Sequence, residues 1–259
     1  MIATVIEKIA KRGVIETVSK VYEHVRSVFR LAQARGLRQD NPADPVREVL
    51  PMAKKKGHMP ALLTFPALGD LLRRAESSRM SPAIRMAHRL CAFTAPRISN
   101  VVQAEWSEFD LEADVPTWII PRKKMKSKDR IHDHQIILGE VIAEELREWR
   151  RNTGTKGYIF PSSAGGKHIV AESLEKIYQE TLALRGKRTP HSWRSALSML
   201  ARDNGVERDV VEITLDHIHD NDVLRACDCG ERLQQRIKLM NCWCAQLADA
   251  ATRRTGPTS

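Results

Sequence analysis

Long apolar runs are absent from this sequence. No stretch approaches the ~20 consecutive apolar residues that a membrane-spanning helix needs, and Met1 is not followed by the cationic and apolar segments of a secretion signal. A soluble, cytoplasmic chain is expected. Internal repeats and low-complexity tracts are missing too, so the fold is not a repeat array. Acidic residues are in deficit: 32 Asp and Glu stand against 42 Lys and Arg, a net charge of +10 and a pI near 9.6. That excess favours a polyanionic partner, above all nucleic acid; a basic but unspecialised surface is the plainer alternative. Cysteine is scarce, and four of the five fall late, as Cys227-x-Cys229 and Cys242-x-Cys244. Zinc thiolates are usually about two to four residues apart, whereas one intervening residue on a helix turns the pair to nearly opposite sides. Neither a structural zinc nor, in a cytosolic chain, a disulfide is expected.

At 259 residues there is room for two domains, each with its own core. Apolar residues at helical spacing (Val18, Val21, Val25, Phe29, Leu31) make Ile2 to Arg35 a helical module, with Gly36 as its C-cap. A basic, breaker-rich segment follows, Lys54-Lys55-Lys56-Gly57-His58-Met59-Pro60, and reads either as a strap along a DNA backbone or as a solvated linker. Helices are predicted over 67–75, 82–93, 139–151, 170–184 and 231–251. Strands are predicted over 115–120, 131–138 and 158–160. The fold class is mainly α with a small β-sheet. Between the first two strands, Pro121 to Arg130 holds six cations (Arg122, Lys123, Lys124, Lys126, Lys128, Arg130), which suits a hairpin tip that probes a DNA groove. The tail from Thr252 to Ser259 is expected to be disordered.

The chemistry concentrates between Thr189 and Glu231, which hold a His-x-x-Arg pair (His191, Arg194), a second histidine (His217) and the Cys227–Cys229 turn. Histidines exchange protons near neutral pH, and a guanidinium fork grips two phosphate oxygens at once. Upstream, Arg97 follows a proline at a helix start, where free backbone N–H groups favour an anion.

The ordered set Arg97, Lys126 on a hairpin, His191-x-x-Arg194 and His217 resembles the tyrosine recombinases, in particular the integrases of satellite phages and genomic islands. The resemblance runs from about Arg12 to Leu247 and includes Ala104-Glu105-Trp106-Ser107-Glu108-Phe109-Asp110-Leu111, Tyr158-Ile159-Phe160-Pro161-Ser162, Pro190-His191-Ser192-Trp193-Arg194 and Leu215-Asp216-His217. It implies a helical core-binding domain over 1–58, a catalytic domain over 59–251 and a clamp around double-stranded DNA at attachment sites. Strands would be cut and rejoined through a covalent protein–DNA ester, with no metal or other cofactor, by a homo-oligomer, a tetramer on DNA. The resemblance also implies exchange of the C-terminal segment between protomers. Arg97, Arg194 and His217 would hold the charge developing on the phosphate oxygens, Lys126 would protonate the departing 5′ oxygen, and His191 would assist proton transfer at the nucleophile. Lys54, Lys55, Lys56, Arg122, Lys123, Lys124, Lys128 and Arg130 would contact DNA.

Three departures stand out. The family's nucleophilic tyrosine falls about ten residues after the last histidine, and here that position is Cys227; the three tyrosines, Tyr22, Tyr158 and Tyr178, lie elsewhere. The chain starts inside the core-binding domain, as a truncation would. Asn100 replaces an acidic residue often found three positions after the first arginine. Three readings stay open at position 227: an impaired recombinase that still binds DNA, activity through the cysteine, or a tyrosine supplied from elsewhere. Two rivals stand beside them. One is a non-catalytic DNA-binding protein derived from an integrase. The other is a metal-dependent phosphohydrolase built on His132-Asp133-His134 and Asp216-His217-Ile218-His219-Asp220.

Overall fold

The computed structural model describes residues 2–12, 15–49, 64–125, 132–162, 167–184, 188–217 and 229–253. The chain divides into two compact units, residues 1–58 and 59–259.

In the first unit the helical module expected from Ile2 onward comprises two helices, α1 (Ile2–Ala10) and α2 (Ile15–Ala34). Ile6, Val18, Tyr22, Ala43 and Val46 form the core, whereas Leu31, expected on the apolar stripe, faces solvent at 52 % exposure. The C-cap at Gly36 is as expected: it takes φ +69°, and the Leu37 N–H returns 2.9 Å to the Ala32 carbonyl.

The second unit is built on helices α3 (Phe65–Glu76) and α4 (Pro82–Thr94). Thr64 and Ser81 accept from the N–H groups of Ala67 and Ile84, and a proline sits in each first turn. The short α5 (Ile98–Val102) follows. Three antiparallel strands come next, β1 (Phe109–Asp110), β2 (Thr117–Ile120) and β3 (His134–Ile137), ordered β1-β2-β3. They are shorter than predicted. Phe109 and Trp118 are register partners whose rings stack 5.0 Å apart. The expected strand at 158–160 is a single bridge, Glu105 to Tyr158. After α6 (Glu140–Thr153), the helix predicted over 170–184 is α7 (Ala171–Lys176) running into a wider turn, Ile177–Thr181. Then come α8 (Ser192–Asp203), α9 (Arg208–Thr214) and α10 (Cys229–Thr252).

Met240, Trp243, Cys244 and Leu247 are buried at helical spacing on α10, and the Trp243 indole donates to the Ala92 carbonyl at 3.1 Å. This stripe packs α10 onto α3, α4 and α6 of its own chain. Cys244 points into the core, 3.5 Å from the Phe93 carbonyl, while Cys242 is exposed, so the helix turns the two thiols apart. The side chains of Cys227 and Cys229 lie outside the described residues.

Beneath α8 lies a polar chain in an apolar setting. The Trp193 indole donates to the Tyr178 hydroxyl at 2.6 Å, and that hydroxyl lies 2.8 Å from His88 Nε2. The hydroxyl can donate to Nε2 or accept from it according to the His88 tautomer, and Nδ1 is buried with no partner. Burial pushes the His88 pKa down from 6.5 to about 4, and that of His134 to about 3. Below pH 6.5 the unfolded chain takes up protons that the folded chain refuses. Stability is therefore complete above that value and falls as pH drops toward 4, by up to about 1.4 kcal/mol per pH unit for each histidine. Denaturant midpoints measured from pH 7.5 down to 4.5 are expected to decline along this window; a flat profile contradicts the burial of both rings in neutral form.

Candidate functional site

Three chain reversals bring the sequence-predicted residues together. α4 ends at Ala95, a left-handed residue (φ +48°), after which Pro96 directs the chain into Arg97 at the start of α5. Thr189 and Pro190 lead into the first turn of α8, which carries Arg194. α9 ends in a turn in which Asp216 is left-handed (φ +50°), and His217 follows it. Left-handed backbone costs a residue with a Cβ roughly 1–2 kcal/mol, less for Asp, so two such positions must be held by their surroundings.

Arg194 does the holding. It is 4 % exposed; its Nη1 donates to the Ala95 carbonyl at 2.7 Å and its Nη2 to the Leu215 carbonyl. One guanidinium thus spans both left-handed turns, while its buried Nε–H has no protein acceptor. Burial, then the nearby Arg97 charge, pushes the Arg194 pKa down to about 10, so it stays cationic at neutral pH.

Arg97 Nη1 lies 3.4 Å from Asp216 Oδ2. His191 is at the solvent edge, yet the protein around its ring and then the charges of Arg194, His217 and Arg97 lower its pKa, which favours a neutral imidazole able to accept a proton. His217 Nδ1 is 2.6 Å from Glu212 Oε2; the carboxylate, 8 % exposed, can only accept, so Nδ1 donates and Nε2 is left for another partner. Arg97, His191, Arg194 and His217 form one cluster carrying two fixed positive charges and two titratable rings. Lys126 and Cys227 lie outside the described residues, as do Lys54, Lys55, Lys56, Lys128 and Arg130.

Two expected DNA contacts are placed otherwise. Arg122 is 7 % exposed, its Nη1 and Nη2 on Asp216 at 3.3 and 3.2 Å and its Nε on the His132 carbonyl at 2.6 Å. Lys124 donates to the Gln103 carbonyl at 2.8 Å, to Glu105 at 2.7 Å and to Glu108. A cation with that many internal partners has few donors left for phosphate. Lys123, between them, is exposed. Asn100 supplies no support to Arg97: it is buried, with its amide 3.2 Å from Met125 Sδ. The carboxylate that does so is Asp216, which the sequence offered only as a metal ligand. The clue was an acidic residue at a helix end one position before His217.

His219 and Asp220 of the metal-site reading lie outside the described residues, and among the described ones no group of three His, Cys, Asp or Glu could hold a metal ion. His134 is buried and His132 exposed, and Asp216 is taken by two arginines. Tyr178 and Tyr22 are core residues, and Tyr158 packs on His168 with ring centres 4.9 Å apart, so no tyrosine stands at the cluster. Cys91 is buried beside Arg194, but burial raises its pKa to about 12 and keeps it a thiol.

Two arginines and two histidines, from the start of α5, the first turn of α8 and the turn after α9, are thus brought together in a mainly helical unit. The model of the phage integrase family matches residues 62–226, and that of the phage integrase central domain matches residues 1–49. The chain belongs to the phage integrase family of tyrosine recombinases. It is 28 % identical over 248 residues to the prophage integrase IntA of Escherichia coli (strain K12), covering 95 % of this chain and 58 % of that protein. It is 24 % identical over 256 residues to the integrase of Enterobacteria phage P4, covering 92 % of this chain and 56 % of that protein. The chain thus spans less than two thirds of either relative. The fold is that of the Tn1549 transposon integrase in complex with transposon right end DNA (TM-score 0.65, 13 % identity, 86 % of this chain and 78 % of that one). It is likewise that of a lambda integrase dimer bound to a COC′ core site (TM-score 0.60, 16 % identity, 86 % and 79 %). Among the described residues no helix is long and apolar enough to cross a membrane.

Proposed function

We propose that the chain binds double-stranded DNA at attachment sites and holds one phosphodiester in the cluster of Arg97, Arg194, His191 and His217. The recombination chemistry of the family is blocked at the nucleophile. The observation that carries this reading is Arg194: braced by two carbonyls, it keeps a buried Nε–H with no protein acceptor, and its guanidinium lies close enough to Arg97 and His191 for their charges to be felt. A phosphate oxygen is the acceptor that the site lacks. In this reading residues 1–58 are a core-binding domain and 59–251 a catalytic one, and copies of the chain assemble as a tetramer on DNA. Lys54, Lys55, Lys56, Lys123, Lys128 and Arg130 follow the backbone. Lys126 stands as the general acid, and Cys227 occupies the nucleophile's position. Because strand cleavage through such an ester conserves the bond, neither metal nor cofactor is required.

Titration of a labelled candidate attachment-site duplex against the wild-type chain tests this. Binding is expected to weaken with salt by about 0.9 in log K per log unit for each phosphate contacted, with no SDS-resistant adduct. A wild-type adduct that Cys227→Ala abolishes overturns the blocked reading. Absence of duplex binding overturns the whole of it.

A further inference from the structure

The cationic stretch after β2 was expected to meet DNA along its length, yet its first cation is the most enclosed of its three described cations, 7 % exposed. Arg122 uses all three guanidinium nitrogens inside the protein, and its own N–H donates to Asp133 at 2.8 Å. Its fork lies on both oxygens of Asp216, the two-bond pairing that a carboxylate and a guanidinium make best. Asp216 Oδ2 in turn accepts from Arg97. One buried carboxylate, 3 % exposed, therefore joins three separate segments: the base of the hairpin, the start of α5 and the turn before His217.

We infer that Arg122 and Asp216 are positioning residues of the phosphate site, which fix the direction of Arg97, and that Arg122 is not a DNA contact. This rests on the reading of the cluster as a phosphodiester grip. Three properties support it. An arginine side chain has many rotamers, and an anchored one meets a ligand without ordering itself first. A carboxylate shared by two guanidiniums leaves the trio with a net positive charge, so it orients Arg97 without cancelling the attraction for an anion. Asp also tolerates the left-handed backbone at 216 better than most residues with a Cβ. The contrast with Lys123 is direct: that side chain is exposed on the same turn, and it alone of the three described cations there is free to follow a phosphate chain.

The test uses the full chain and the nicked candidate attachment-site duplex, with affinity measured across salt concentrations. A DNA-contacting Arg122 predicts that Arg122→Met lowers the salt slope by about 0.9; the positioning role predicts an unchanged slope with weaker binding. Asp216→Asn is the second variant, since it keeps the shape and the left-handed tolerance and removes no cation. In the wild-type background Arg97→Ala is expected to weaken binding about tenfold or more, the range for a hydrogen bond to a charged group. In Asp216→Asn the same change is expected to cost less than about threefold, because Arg97 is already unanchored. A lowered slope for Arg122→Met, or fully additive losses for Arg97→Ala and Asp216→Asn, overturns the inference. If the wild-type chain shows no salt-dependent duplex binding, the reading of the site fails first and the inference falls with it.

Discussion

Cys227→Tyr is expected to turn a DNA-binding chain into one that forms an SDS-resistant protein–DNA adduct on nicked attachment-site DNA. In-line attack requires reacting atoms about 3–3.5 Å apart, and displacement by even ~1 Å costs on the order of a hundredfold in rate. A cysteine side chain ends several ångströms short of a tyrosine hydroxyl on the same backbone, so a thiolate in a site shaped for a phenol misses the phosphorus. Cations at such a site would promote the thiolate, but they would not lengthen it. The gain in adduct on restoring the phenol is expected to exceed about a hundredfold, read on a denaturing gel with labelled DNA. Arg194→Ala in the tyrosine background is expected to remove it again. If Cys227→Tyr yields no adduct under conditions where it binds the duplex, position 227 is not the nucleophile's place.

Gly69→Val is expected to release the last helix. Gly69 lies on α3 where α10 crosses it, and a Cβ there would fall 2.7 Å from the Ala250 Cβ and closer still to the Ala250 carbonyl. Real Cβ atoms do not approach main-chain atoms so closely, and neither helix backbone can yield locally. Two effects compete. Replacing glycine inside a helix gains roughly 0.5–1 kcal/mol from backbone entropy, while overpacking a close crossing loses about 1–3 kcal/mol or more. The crossing wins, and even Gly69→Ala is expected to destabilise. For valine a loss of about 3 kcal/mol, roughly 6–12 °C in Tm for a unit of this size, is expected in a thermal melt. A melt unchanged within about 1 °C refutes the docking of α10 on α3. Gly139 repeats the arrangement, with a Cβ there falling 2.8 Å from the Cys244 Cβ.

The fold was legible where local rules govern it. The predicted starts at Ala67 and Pro82 fall within two residues of those of α3 and α4, each of which carries a proline in its first turn. The helix predicted over 231–251 is the core of α10. Periodicity marked the first module as helical without dividing it into α1 and α2, because apolar residues continue on both sides of the join. The strands over 115–120 and 131–138 were predicted longer than the ladder of β2 and β3, although one more backbone bond, Leu138 N–H to the Pro116 carbonyl at 2.9 Å, extends past it. At the site, residue types that bind phosphate were recognisable, since guanidinium and imidazole have few other reasons to cluster at such spacings. Their supports were not. Whether Arg122 reaches outward or inward depends on Asp216, 94 residues away in sequence, and a run of cations gives no sign of which member a distant carboxylate will claim.

The guanidinium of Arg194 is anchored by main-chain carbonyls at Ala95 and Leu215, and every brace described for Arg97 and His217 comes from α9, the turn after it or the hairpin base. Each of those braces comes from residues that would never meet DNA themselves. Selection for the grip therefore falls on Ala95, Glu212, Leu215 and Asp216 as well as on the arginines and histidines that they hold, and the site has a hidden tier whose changes would be felt only through its visible one.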